Sequence, residues 1–155
     1  MKEINLEERV EKAKKLFKEG GYNCCQAVVL AYNDVFGIDD RTAAAISSGF
    51  GGGMGRMREV CGAVSGMVLI ANMLYGNDDI ADKDAKDAHY ARIRDLLKPF
   101  ETQNGSIICR ELLGLDENGE PSHVSEARTA KYYQQRPCAE LVADAADILE
   151  KYCSR

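Results

Sequence analysis

The sequence lacks the local cysteine motifs by which most thiol and zinc sites are recognised. None of its six cysteines forms a C-x-x-C pair, which excludes the thioredoxin-type redox motif and the zinc ribbon and knuckle spacings. Histidine is scarce: His89 lies in a charged segment and His123 beside a loop, both typical of surface residues rather than metal ligands. A metal or redox centre would therefore have to be assembled from cysteines far apart in the chain.

The sequence also lacks an excess of positive charge, a secretory leader and a membrane-spanning run. The formal net charge of −5 argues against nucleic acid or an anionic membrane as a partner. Residues 1–8 are charged where a signal peptide needs an apolar core, so we expect a cytoplasmic protein. The most apolar stretch, residues 60–76, is shorter than the ~20 residues a bilayer requires, and we interpret it as a buried central helix.

Strand patterns are absent as well, since no segment combines β-branched residues with two-residue alternation. The length of 155 residues and the 45% hydrophobic content suit one domain with a real core. The sequence therefore predicts a single all-α domain over residues 1–155, a bundle of about seven or eight helices around a central Gly/Ala-rich helix.

Capping residues and glycines set the predicted helix boundaries. Asn5 and Asn23 each precede a Glu or Gln by three residues, the capping-box pattern of a helix start. Pro99 is expected to kink or end a long charged helix. Together these signals predict helices over about 6–19 and 24–36, a short helix after Asp39 or Asp40, helices over about 59–75 and 80–102, a short helix between Ser106 and Gly114, and helices over about 122–135 and 137–152.

Four cysteines fall at predicted helix starts: Cys24, Cys61, Cys109 and Cys138. A helix N-terminus stabilises a negative charge by ~0.3–1 kcal/mol when exposed. That charge favours the thiolate, the form that attacks disulfides and binds metals. Cys25 and Cys153 do not share the pattern, and we interpret them as structural or incidental.

Cys61 is singled out because it follows a glycine-rich loop over residues 49–55. Glycine lets the backbone approach a site closely, so Gly51, Gly52 and Gly53 are candidate cofactor-binding residues. The loop lacks the Gly-Lys-Ser/Thr ending of a phosphate-binding P-loop. Cys61 is the best candidate for an attacking thiolate, and Cys24, Cys109 or Cys138 would then resolve the disulfide.

These residues resemble the C_GCAxxG_C_C family, whose members are classed as redox-active. The resemblance covers about residues 11–149 and rests on Asn23-Cys24-Cys25-Gln26, on the glycine loop with Cys61-Gly62-Ala63-x-x-Gly66, on Cys109-x-Glu111-Leu112-Leu113-Gly114, and on Arg136-x-Cys138. It places the family's four characteristic cysteines on Cys24, Cys61, Cys109 and Cys138. The chain is also similar to the non-haem part of split-Soret cytochromes, where an iron–sulfur cluster has been associated with such a domain, but it lacks the C-x-x-C-H haem motif.

Three functions stay open at this point. The four cysteines carry thiol/disulfide redox chemistry, or they ligate an iron–sulfur cluster or another soft metal for electron transfer or sensing. In the third reading they are packing residues of a non-redox assembly domain. A redox partner protein or a small-molecule electron donor or acceptor is the expected partner, and a homo-oligomer is a further possibility.

Overall fold

The computed structural model describes residues 6–115 and 122–154, and within these ranges the chain is helical with no named strand. The all-α prediction is confirmed. The helices are α1 (Leu6–Lys18), α2 (Cys24–Leu30), α3 (Asn33–Phe36), α4 (Asp40–Ser47), α5 (Gly62–Tyr75), α6 (Lys83–Asn104), α7 (Cys109–Leu112), α8 (Ala130–Gln135) and α9 (Cys138–Cys153), with a 3₁₀ turn over Ser48–Phe50 after α4.

Helix α5 is the central helix that the sequence predicts. It packs against α2, α6 and α9, while α1 packs along α9. Small residues bring α5 close to α2, since a Cβ on Gly66 would lie 2.8 Å from the Cβ of Val28. Its buried face, with Val64, Met67 and Ile70 fully enclosed, contributes to a hydrophobic core shared by α1, α2, α5, α6 and α9. No helix in the described ranges is both long and apolar enough to cross a membrane.

The predicted caps at Asn23 and Asp39 are confirmed. The Asn23 side chain accepts from the N–H of Gln26 while the Gln26 side chain accepts from the N–H of Asn23, a complete capping box. Asp39 accepts from the N–H of Thr42 at the start of α4. The cap predicted at Asn5 lies outside the described residues.

The helix predicted over 24–36 is wrong as one element, because the chain leaves the helix after Leu30 and starts again at Asn33. Tyr32 takes a φ of −124° and ψ of −4° at the break. Its hydroxyl donates to the carbonyl of Ala146 at 3.0 Å, and the Arg9 guanidinium lies over its ring at 5.3 Å. Tyr32 therefore makes tertiary contacts to α9 and α1 at the break, which no local sequence signal predicts.

The long charged helix predicted over about 80–102 is α6, which runs through Pro99 without ending there and stops at Asn104, before Gly105 with a φ of +85°. One further predicted boundary is wrong. The helix predicted from Ser122 begins only at Ala130, and residues 122–129 are not helical. Arg128 holds this segment on the body of the protein, because its guanidinium donates to the carbonyls of Phe17 and Tyr22.

Candidate functional site

Four helix starts converge on one place in the fold. Cys24, Cys109 and Cys138 are the first residues of α2, α7 and α9, and Cys61 is the residue directly before α5. All four cysteines line one cavity of about 360 Å³. The placement at helix starts, predicted from capping residues alone, is therefore confirmed, and the structure adds that the four starts meet.

The other two cysteines lie away from this cavity. Cys25 is fully buried in the core beneath α5. Cys153 is the last residue of α9, where its sulfur lies 3.7 Å from the hydroxyl of Tyr75. Neither lines the cavity with the other four. All six cysteines are free thiols in this structure.

A short backbone pairing joins the Cys61 and Cys109 positions. Val60 and Ile108 form an isolated antiparallel bridge. The N–H of Cys61 donates to the carbonyl of Ile107 at 2.8 Å, and the N–H of Cys109 donates to the carbonyl of Glu59 at 2.6 Å. The start of α7 is therefore fixed beside the start of α5 by main-chain bonds.

The start of α2 is fixed to the other wall of the cavity. The Asn23 side-chain amide donates to the carbonyl of Ser48 at 3.0 Å. On the far side, a Cβ on Gly62 would lie 3.1 Å from the Cβ of Cys24. Cys24 is held between the glycine loop and the first turn of α5, and Gly62 is small enough to allow that contact.

The glycine loop turns with left-handed backbone. Residues 52–56 all have positive φ, including Met54 at 69° and Arg56 at 62°, and Arg58 follows at 62°. Such backbone costs roughly 1–2 kcal/mol per residue that has a Cβ. Backbone hydrogen bonds within the loop stabilise this conformation; for example, the N–H of Arg58 donates to the carbonyl of Gly52 at 3.1 Å. Strain of this kind is concentrated at functional sites in proteins.

The predicted cofactor-binding glycines, Gly51, Gly52 and Gly53, all line the cavity. A Cβ on Gly51 would meet the side chain of Asn23 at 2.6 Å, and a Cβ on Gly53 would meet the Cβ of Cys109 at 2.7 Å. The loop backbone therefore approaches the cysteine-bearing segments as closely as the sequence led us to expect.

Cys24 and Cys138 act on each other's acidity in the cavity that both line. A hydrogen-bond interaction between the two thiols lowers the pKa of Cys138 and raises that of Cys24. Three guanidinium groups, those of Arg136, Arg128 and Arg58, lower the pKa of Cys138 further against the opposing effect of burial. Cys138 is therefore the more acidic thiol of the two.

Burial acts against the thiolate form of Cys61, the residue predicted as the best candidate for an attacking thiolate. Burial raises the pKa of Cys61 to about 12, although the N–H groups of Ala63 and Val64 at the helix start act in the opposite direction. The side chain makes no capping hydrogen bond. Burial likewise raises the pKa of Cys109, opposed by the guanidinium of Arg58. Desolvation outweighs the helix N-terminus at both sulfurs.

Arginines are the site residues that sequence reasoning missed. Arg58 is 8% exposed and its Nη1 donates to the sulfur of Cys109 at 3.7 Å. Arg56, Arg128 and Arg136 line the same cavity. The sequence did contain a signal for them, because Arg136 lies two residues before Cys138 and two arginines follow the loop glycines. The negative net charge of the whole chain does not reflect this local excess of positive charge.

The four thiols form a donor set that suits soft metals and iron–sulfur clusters. Their arrangement fits a metal ion less well. Within residues 6–115 and 122–154, no group of three or more His, Cys, Asp or Glu side chains is arranged to hold one. His89 is hydrogen-bonded to Asn72 on the surface, and His123 lines the cavity.

The comparison with protein families agrees with this site. The chain matches, over residues 22–152, the family model described as "Putative redox-active protein (C_GCAxxG_C_C)". Because the match spans most of the chain, the protein belongs to this family. No curated protein and no solved structure matches the chain.

Proposed function

We propose that the protein is a dithiol–disulfide redox protein in which Cys138 is the attacking thiolate and Cys24 is the resolving thiol. The observation that carries this proposal is that Cys24 and Cys138 line one cavity together with Arg58, Arg128 and Arg136, where the interaction with Cys24 and these guanidiniums lowers the pKa of Cys138. A thiolate is the nucleophile in disulfide exchange. A thiol already in contact with it is placed to complete the reaction.

The reaction is a two-electron exchange with a disulfide. The Cys138 sulfur bonds to one sulfur of the substrate, whose S–S bond breaks and releases the first thiolate. The Cys24 sulfur then bonds to the Cys138 sulfur and the second thiolate leaves. The protein ends as the Cys24–Cys138 disulfide and the substrate as two thiols. One product thiol takes up the proton of Cys24, and the other takes from solvent the equivalent of the proton that Cys138 lost when it ionised.

Cys61 and Cys109 complete the sulfur lining of the cavity in this scheme. Both have raised pKa values, so we assign them to a second dithiol that exchanges with the first rather than to the initial attack. We expect the electrons to come from a redox partner protein or a small-molecule donor. The reducing cytoplasm is the proposed location, because it keeps such thiols free between turnovers.

The test is oxidation of the reduced protein with bis(2-hydroxyethyl) disulfide, followed by peptide mapping. We expect a Cys24–Cys138 disulfide in the native chain and an accumulated mixed disulfide on Cys138 in C24S. C153S is the matched control, because Cys153 lies at the far end of α9, and it should behave as the native chain does. A native-like oxidation rate in C138S would refute the assignment.

A second candidate function is an iron–sulfur or other thiolate-bound metal centre for electron transfer or sensing. It is favoured by the four thiols that line one cavity, where Cys24, Cys61, Cys109 and Cys138 would be the ligands and Gly51, Gly52 and Gly53 the adjoining wall. Such a centre would supply one-electron chemistry. Because the present arrangement does not suit a metal ion, we rank it second.

Anaerobic purification with iron, sulfide and zinc analysis separates the two functions. Stoichiometric iron and sulfide with a visible charge-transfer band would establish the metal centre. A colourless, metal-free protein whose thiols titrate in pairs would support the dithiol. If the protein is instead a non-redox assembly domain, replacing all four cysteines by Ser changes its stability alone. The oxidation assay described above would then detect no Cys24–Cys138 disulfide in the native chain.

A further inference from the structure

The cavity that holds the four sulfurs carries a strong local excess of positive charge. Four arginines line it, Arg56, Arg58, Arg128 and Arg136. Among the lining residues that the structure describes, Glu126 is the one carboxylate. This is opposite in sign to the whole chain, whose net charge is −5. A cluster of one sign inside a low-dielectric cleft concentrates ligands of the other sign.

Most of this charge is left uncompensated by carboxylates. Arg56 and Arg136 share Glu126, whose Oε1 accepts from the two guanidiniums at 3.2 Å and 2.6 Å. The arginine side chains are 18% and 15% exposed, and Glu126 is 48% exposed. The half-exposed carboxylate of Glu126 is therefore the shared partner of two mostly buried guanidiniums at the cavity wall.

The other two arginines have neutral partners. Arg58 donates to the Cys109 sulfur. Arg128 donates to main-chain carbonyls and to the hydroxyl of Tyr133, and its guanidinium lies 4.5 Å from the ring centre of Phe17. Within the described ranges, no ion pair involves Arg58 or Arg128. Neither positive charge is therefore neutralised by a carboxylate of the described residues, and arginine is well suited to binding the carboxylates of a ligand.

The size of the cavity limits what can reach the sulfurs. Its volume of about 360 Å³ is at the lower end of the range for small-molecule pockets. Cys61, Cys109 and Cys138 are 4%, 8% and 8% exposed. Sulfurs enclosed to this degree are reached more readily by a small molecule that enters the cavity than by a disulfide on the surface of a folded protein.

We propose that the cavity binds a small disulfide bearing carboxylates, and that the arginines select it by charge. This inference rests on the proposed dithiol function and names its substrate class. Cys138 attacks one sulfur of the bound disulfide and the first carboxylate-bearing thiolate leaves. Cys24 then closes the protein disulfide and the second thiolate leaves, so that the substrate is reduced by two electrons and the protein is oxidised by two.

The test uses three symmetrical alkyl disulfides of different charge: 3,3′-dithiodipropionate, bis(2-hydroxyethyl) disulfide and cystamine. Rates of formation of the Cys24–Cys138 disulfide are measured at low ionic strength and divided by the rates of dithiothreitol, a neutral dithiol, with the same compounds, which removes intrinsic differences in reactivity. We expect the anionic disulfide to exceed the neutral one by about tenfold or more, and the advantage to shrink at high salt. Equal normalised rates, or a preference for cystamine, would overturn the inference and leave the dithiol function standing.

Variants distinguish charge selection from an effect on the thiolate. In R136Q the ratio of the anionic to the neutral rate should fall several-fold, and in E126Q it should rise, because the carboxylate that competes for two guanidiniums is gone. R94Q, an exposed arginine on α6, is the matched control and should keep the native ratio. If R136Q slows all three disulfides by the same factor, the arginine acts on the thiolate alone and the inference is wrong. If no disulfide oxidises the native chain, the proposed function itself fails.

Discussion

Gly53 lies against Cys109 with no room between them, since a Cβ on Gly53 would lie 2.7 Å from the Cβ of Cys109. The φ of Gly53 is +73°, which residues with a Cβ rarely adopt. The same loop continues to Arg58, whose guanidinium reaches the Cys109 sulfur. The loop that includes Gly53 and leads to Arg58 therefore contacts Cys109 twice, at its Cβ and at its sulfur.

Gly53→Ala should lower the free energy of unfolding by about 2 kcal/mol or more, because left-handed backbone alone costs ~1–2 kcal/mol for a residue with a Cβ and the added methyl would also overlap Cys109. Gly49→Ala is the matched control within the same loop, since a Cβ there would enter open space. Urea denaturation measures both. A G53A protein as stable as G49A would contradict the close contact described here.

Cys24→Ala should raise the pKa of Cys138, because the hydrogen bond from Cys24 is the largest cause of its lowered value. The thiolate fraction grows as pH rises through the pKa, so the midpoint of the alkylation profile should move to higher pH and the rate at neutral pH should fall. Iodoacetamide labelling followed by mass spectrometry of the Cys138 peptide gives the profile. Cys153→Ala should leave that midpoint in place, and an unchanged midpoint in C24A would show that the two thiols are not coupled.

Asn23→Ala should destabilise the fold by about 1 kcal/mol, as expected for the loss of an N-cap side chain. Asn23→Ser keeps a capping oxygen but lacks the amide that donates to the carbonyl of Ser48. Thermal unfolding of the two variants should therefore place N23S between N23A and the native chain. Equal stability of N23S and N23A would mean that the cap at the start of α2 contributes little.

Arg128→Ala should destabilise the protein by about 1–3 kcal/mol, in the range for lost hydrogen bonds to a charged group. Its guanidinium bonds to the carbonyls of Phe17 and Tyr22 and lies near the rings of Phe17, Tyr132 and Tyr133. Arg128→Lys should recover little of this, because an ammonium cannot reproduce the planar fork or its stacking. Denaturation midpoints measure the effect, and full recovery in R128K would show that charge alone is needed.

Helix starts were the part of the site best predicted from sequence. Asn23 capped α2 as expected and so placed Cys24 at its first residue, and Pro137 before α9 did the same for Cys138. These signals are local, because a cap satisfies N–H groups within three residues of itself. The break at Tyr32 and the non-helical segment before Ala130 were not predicted, because side chains in both make contacts with residues far along the chain, Tyr32 with Ala146 and Arg128 with Phe17.

The sequence by itself determined the all-α class, the central apolar helix and the four cysteines at helix starts, because periodicity, caps and glycines act over a few residues. Only the tertiary structure decided that those four starts share one cavity and that arginines surround it. It also decided which charges face each sulfur, because three arginines lower the pKa of Cys138 whereas burial raises that of Cys61. The pKa of a thiol depends on its burial and on the charged groups near it. Both are set by residues distant in the sequence, so the neighbouring residues along the chain do not predict them.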